Sequence, residues 1–165
     1  MQIINFIDRI LERIESVTLI IALTSMISMA FLQVILRNFF DYSILWADIF
    51  SRHLILWVGF IGASLATYEN KHINIDVLSR FLSPKIKQIS IIITRSFSAF
   101  ICILLAKASF VFITDERSAG STLFLEIPVW VFMIIILIGF VIISFRFVIQ
   151  AIQAISSPKF EAEKG

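Results

Sequence analysis

Charged residues in this chain gather into short clusters, and between the clusters lie four runs that are almost wholly apolar. The first run, Val17 to Leu36, is twenty residues without a charge. A helix rising ~1.5 Å per residue needs about 20 residues to cross a hydrocarbon core ~30 Å thick. The pattern predicts membrane-spanning helices over 17–36, 49–68, 89–113 and 127–145. Thr24, Ser25 and Ser28 in the first run are polar, but their hydroxyls can bond back to carbonyls of the preceding turn. Arg37, Asn38 and Asp41 end that run, with Phe39, Phe40 and Tyr42 at the boundary depth where aromatics gather. Pro128 fits the first turn of the fourth helix, where a missing N–H costs nothing. Trp130 sits at interface depth, and Arg146 marks the exit of that span.

Two segments outside the spans also carry helical spacing. In MQIINFIDRILERIES, Ile3, Ile7, Ile10 and Ile14 recur on one side, and Asp8, Arg9, Glu12, Arg13 and Glu15 occupy the other. This predicts an amphipathic helix lying in the interface plane; the alternative is that it continues the first span. In the polar connection Glu69 to Gln88, Val77, Leu78, Phe81 and Leu82 alternate with Asp76, Ser79 and Arg80. A short interfacial helix is expected there, stopped before Pro84 because the residue preceding a proline avoids the helical region. The fold class expected is an all-α integral membrane protein, with four transmembrane helices and N-terminal and central interfacial amphipathic helices. Residues 1–165 are expected to form one domain with a frayed polar tail.

Composition agrees. Hydrophobic residues make up 59% of the 165 residues and charged residues 16%, with a mean hydropathy of +0.95. Soluble domains average about 45–50% apolar and about 25% charged. The net charge of +2 says less than the placement of the charges. Arg9, Arg13, Lys71, Arg80, Lys85, Lys87, Arg146, Lys159 and Lys164 lie on one side of the predicted spans, nine in all. Arg37, Arg52 and Arg117 lie on the other, three in all. The excess puts both termini in the cytoplasm. No cleavable signal is expected, since the leading segment is of mixed charge and no small-residue cleavage pattern follows it. Cys102, the single cysteine, can form neither an intrachain disulfide nor a metal-ligand set.

The second run holds the densest local signals. Asp48 and Arg52 stand four apart, acid first, the favourable order for a helical ion pair. Gly59 and Ala63, then Gly62 and Ala66, repeat small residues at a spacing that lets another helix approach closely in lipid. The stripe suits either packing within this chain or docking against another protein. Arg95 and Lys107 lie inside the third run, each about one and a half turns from its own end, where a long side chain can snorkel or meet a partner. Catalytic and cofactor signatures are absent: there is no phosphate-binding glycine loop, H-E-x-x-H or serine elbow, so neither enzyme activity, metal nor cofactor is expected. No acid lies in the middle of a span to form a proton relay. His53 and His72 fall on opposite sides of the membrane, too far apart to share a haem. No nucleic-acid partner is expected.

The motif W-A-D-x-x-x-R approaching the second span, F-I-G-A-S-L-A within it and E-N-K-H-I-N-I-D-V-L after it resemble the small membrane subunit of tripartite ATP-independent periplasmic (TRAP) transporters, the DctQ type. The run S-T-L-F-L-E-I-P-V-W before the fourth span is similar to that family's I-P-x-W pattern. Where the family has Glu after the tryptophan and its neighbour, this chain has Asp48, one methylene shorter. His72 and Asp76 match the family's motif loop. The resemblance implies a bacterial inner-membrane protein that helps to import an organic acid, of C4-dicarboxylate or sialic acid type, on a sodium gradient. It implies a large membrane subunit that carries the substrate and sodium sites, and a periplasmic binding protein that delivers the substrate. The small subunit would be a static scaffold. Asp48, Arg52, Gly59, Gly62, Ala63 and Ala66 would then meet the large subunit. Arg95 and Lys107 would hold phospholipid phosphates or partner carboxylates. Arg37, Glu116 and Arg117 would face the binding protein. Rival readings are a four-helix exporter, which should show an acid within the first span, a cytochrome b-like redox subunit, which needs paired histidines, and a structural subunit of an unrelated complex.

Overall fold

The computed structural model describes residues 2–42, 44–68, 84–123 and 126–156. Four helices account for almost all of them: α1 Gln2–Phe40, α2 Leu45–Tyr68, α3 Pro84–Ala119 and α4 Val129–Ser156. Each contains a stretch long and apolar enough to cross a membrane, so the all-α membrane class holds. The expected central interfacial helix, with His72 and Asp76, lies outside the described residues, as does the tail after Ser156.

The helices outrun the expected spans, α2 and α3 beginning four and five residues early, and three further differences have a physical reason. The N-terminal segment is helical, as its periodicity predicts, but it is not a separate surface helix. It runs on into the first span as one helix of 39 residues, about 58 Å long. No glycine or proline interrupts residues 2–40, and Asp8 and Glu15 turn inward to a partner on α4. Second, α3 continues past residue 113 to Ala119, so Asp115, Glu116 and Arg117 belong to its last turns rather than to a loop. Hydropathy reports where hydrocarbon ends, whereas the backbone ladder stops only at Gly120, whose φ of +68° is the left-handed conformation that glycine adopts without a Cβ clash. Third, the fourth helix does not end with its apolar run near Phe145: α4 continues for ten residues beyond Arg146. Pro128 stands just before α4, in a tight loop closed by bonds from Leu123 N–H to the Ile127 carbonyl and from Val129 N–H to the Ser121 carbonyl, 2.9 and 3.0 Å.

Helix α1 packs on α2, α2 on α4 and α4 on α3. These three contacts arrange the helices as a row with α1 and α3 at its edges. The buried seams use small side chains, among them Ala22, Ala47, Ala99 and Ala151, which lets backbones approach where lipid offers no hydrophobic drive. Where α2 crosses α4, a Cβ on Gly139 would come within 2.8 Å of the Phe60 ring. Phe60 in turn meets Phe140 edge-on at 5.1 Å. Bulky apolar side chains such as Ile20, Phe31, Ile93 and Phe97 point outward, as suits surfaces solvated by lipid.

Candidate functional site

Among the described residues, the most developed polar structure is a layer that crosses all four helices near the end where α1 begins and α4 finishes. At its centre is Arg146, 1% exposed. A buried charge persists only when it is paired, and Arg146 is paired with two acids. Its Nε stands 2.9 Å from Asp8 Oδ1, and its Nη2 stands 2.8 Å from Glu15 Oε2. Nη1 donates to both the carbonyl and the hydroxyl of Ser64, the latter at 2.8 Å. The Ser64 hydroxyl donates to Glu15 Oε1 at 2.7 Å. The guanidinium also lies 5.2 Å from the centre of the Tyr68 ring. Asp8 and Glu15 are seven residues apart, two helical turns, so they share one face of α1.

One turn further along α4, Gln150 extends the layer. Its amide donates to the Thr67 carbonyl of α2 at 2.7 Å, and its own carbonyl accepts from Arg95 Nη1 of α3 at 3.1 Å. Gln88 of α3 then reaches the Ala154 carbonyl at 3.1 Å. Trp130 and Arg146 are 16 residues apart along α4, about 24 Å. With Trp130 at one interface, the layer sits near the other edge of a ~30 Å core.

The residues singled out from sequence are distributed differently. Asp48 and Arg52 do not form the expected helical ion pair. The Asp48 carboxylate accepts from Gln33 Nε2 of α1 at 3.0 Å, and Arg52 is exposed. Gln33 also donates to the Ile44 carbonyl at 3.3 Å, so its amide ties the start of α2 to α1 and claims the acid. Gly59 and Ala63 are exposed, Gly62 and Ala66 half-buried. A Cβ added at either glycine would meet nothing within 4 Å. Helix α2 packs inside this chain through its opposite face, Ala47, Ile61, Ser64 and Thr67. Arg95 turns inward to Gln150, whereas Lys107 is exposed on α3. Arg37 is exposed, Glu116 is half-buried, and Arg117 lies 5.4 Å from the centre of the Trp130 ring. His53 Nδ1 is 2.8 Å from the Ile49 carbonyl, and its ring leans on Phe132.

The sequence profile of the family described as tripartite ATP-independent periplasmic transporters, DctQ component, matches residues 26–157. The chain belongs to that family. Two proteins of Haemophilus influenzae that carry the name TRAP transporter small permease protein are similar to this DctQ-family chain. One is 34% identical over 107 residues, 65% of this chain and 64% of its own length. The other is 31% identical over 106 residues, 64% of this chain and 59% of its own length. The similarity thus spans less than two thirds of each relative. No solved structure matches. Within the DctQ match fall Ser64, Gln150 and Arg146; Asp8 and Glu15 lie before it. Sequence reasoning missed the layer, although one local signal was present: the apolar run of α4 continues after Arg146 through Phe147, Val148 and Ile149.

Proposed function

We propose that this DctQ-family chain is the scaffold subunit of a TRAP transporter in a bacterial inner membrane, with both termini cytoplasmic. A large membrane subunit would carry the solute, an organic acid of C4-dicarboxylate or sialic acid type, on a sodium gradient. A periplasmic binding protein would supply it. The observation that carries the scaffold role is the polar layer: Arg146, Gln150, Arg95, Asp8, Glu15 and Ser64 bond helix to helix, so the polar groups near that membrane edge hold the row together. The face of α2 bearing Asp48, Arg52, Gly59 and Ala63, with Gly62 and Ala66 at its margin, is assigned to the large subunit. Lys107 marks one leaflet for a phosphate or a partner carboxylate, whereas Arg95, expected to do so at the other, is turned inward to the Gln150 carbonyl; Arg37, Glu116 and Arg117 mark the docking side of the binding protein.

The test is reconstitution in vesicles under an inward sodium gradient. Uptake of a labelled organic acid should require this chain, the large subunit and the binding protein together. Transport by this chain alone would overturn the scaffold reading, and full uptake without it would overturn its membership of the working complex.

A further inference from the structure

Residues 8–15 of α1 hold three acids and two arginines, and the fold sorts them by face. Asp8 and Glu15 turn inward and pair with Arg146. Glu12 is half-buried on the flank, where its carboxylate accepts from Ser16 at 3.4 Å. Arg9 and Arg13 are exposed, and among the described residues neither forms an ion pair. Steps of three and four residues put them on one face with Ile10, Ile14 and Val17, all three exposed. That outward face is therefore cationic and apolar together, the combination that suits a lipid headgroup boundary.

Depth agrees. Gln33, which meets Asp48 at the far end of the first span, lies 19 residues after Ile14, about 29 Å along the helix. That is one hydrocarbon core, and the headgroup layer adds about 5–7 Å on each side. With Ile14 at the boundary, Arg13 stands at the edge and Arg9 about 6 Å beyond it. Both side chains lean toward the start of the helix, hence toward the headgroups. Their Cβ atoms are about 5–6 Å apart, so both guanidinium groups can close on one phosphate through paired N–H donors. The acids behind them do not cancel this attraction. A phosphate so held stands about 4 Å from each guanidinium, whereas Asp8 and Glu15 lie across a helix about 10 Å wide and already face Arg146. We propose that Arg9 and Arg13 clamp the phosphate of an anionic phospholipid, of the phosphatidylglycerol class, with an acyl chain along Ile14 and Val17. An ammonium-bearing headgroup brings a like charge to the two arginines and binds more weakly. The site adds to the scaffold role and requires only that the helices cross a bilayer.

The experiment takes the full chain out of vesicles made of equal parts phosphatidylglycerol and phosphatidylethanolamine, and native mass spectrometry counts the lipid that stays bound. Phosphatidylglycerol should be retained several-fold over phosphatidylethanolamine. Arg9→Gln with Arg13→Gln should cut that excess several-fold, while Arg9→Lys with Arg13→Lys should keep part of it. Glutamine and lysine favour helices about as well as arginine, and both positions are exposed, so the thermal midpoint should not move. Equal retention of the two lipids by the unaltered chain would overturn the headgroup class. An excess that survives the glutamine pair would overturn the site. Release of the bound lipid by inorganic phosphate would assign the clamp to a free anion and overturn the lipid.

Discussion

Replacing Arg146 by Met tests the layer most directly. The substitution removes two ion pairs, to Asp8 and Glu15, and two hydrogen bonds to Ser64. Removing one partner of a buried pair costs about 3–5 kcal/mol, because the remaining charge stays buried without compensation. Interhelical hydrogen bonds in membranes average only about 0.6 kcal/mol, so the Ser64 bonds contribute about 1 kcal/mol of that. Asp8 can turn toward water, which places the expected loss near the lower end, about 3 kcal/mol, or two orders of magnitude in the unfolding equilibrium. The assay is reversible unfolding in mixed micelles, followed by tryptophan fluorescence. Arg146→Lys should fall between, since one ammonium cannot serve both acids and Ser64 as the planar fork does. The decisive companion is the combined variant Asp8→Leu, Glu15→Met, Ser64→Ala and Arg146→Met. Exchanging a whole buried ionic set for apolar groups of similar volume is often neutral or stabilising, so this variant should lie within about 1 kcal/mol of the parent. If Arg146→Met loses less than about 1 kcal/mol, or the combined variant loses as much as the single one, the layer is not what holds α1 to α2 and α4.

Gly139→Ala should destabilise the chain by about 1–3 kcal/mol through the Phe60 clash. Gly59→Ala and Gly62→Ala meet nothing within 4 Å, and should leave thermal stability of the isolated chain unchanged or raised by up to about 1 kcal/mol. The same two changes should lower the yield of the complex on co-purification with the large subunit; an unchanged yield would remove that face from the interface. Gln33→Leu should leave Asp48 without its α1 donor and cost about 0.5–1.5 kcal/mol, read as a shift of the same unfolding midpoint. Lys107→Leu should not alter stability measurably, and any loss of complex yield or of bound phospholipid on native mass spectrometry would show what its ammonium meets.

Much of the fold is legible from local pattern. Four charge-poor runs predict four spans, although hydropathy places the third at 89–113 while its helix runs from Pro84 to Ala119, just before Gly120. The polar layer is not legible in the same way, because its bonds join residues 138 apart in sequence, as in Asp8 with Arg146. Local spacing could only have raised a question. Asp8, Leu11, Glu15, Thr18 and Ala22 recur at helical spacing on one side of α1, a seam that turns out to face the row. The stripe of Ile3, Ile7, Ile10 and Ile14 draws the eye instead, since in water the apolar side is the buried side. In a bilayer that rule inverts: Ile10 and Ile14 are exposed, while Glu15 is buried.

The same inversion bears on where the proposed large subunit would meet this chain. At the edges of the row, exposed positions are bulky and apolar, such as Ile20, Ile27 and Phe31 on α1 and Ile93, Phe97 and Phe100 on α3. Such side chains fill hydrocarbon well, and no further contact is needed to explain them. The exposed face of α2 follows another pattern. It carries Asp48 and Arg52 at one end and Gly59 and Ala63 beyond Ile55 and Leu56. Glycine offers lipid almost no surface, yet it lets a second backbone approach, and an exposed arginine such as Arg52 is costly in hydrocarbon unless it reaches water or a complementary group. A face selected only for lipid contact has no reason to combine the two. The contrast between α2 and the edge helices therefore supports α2 as the side that another protein would cover, and it fits the burial of Ala47, Ile61, Ser64 and Thr67 on the opposite face.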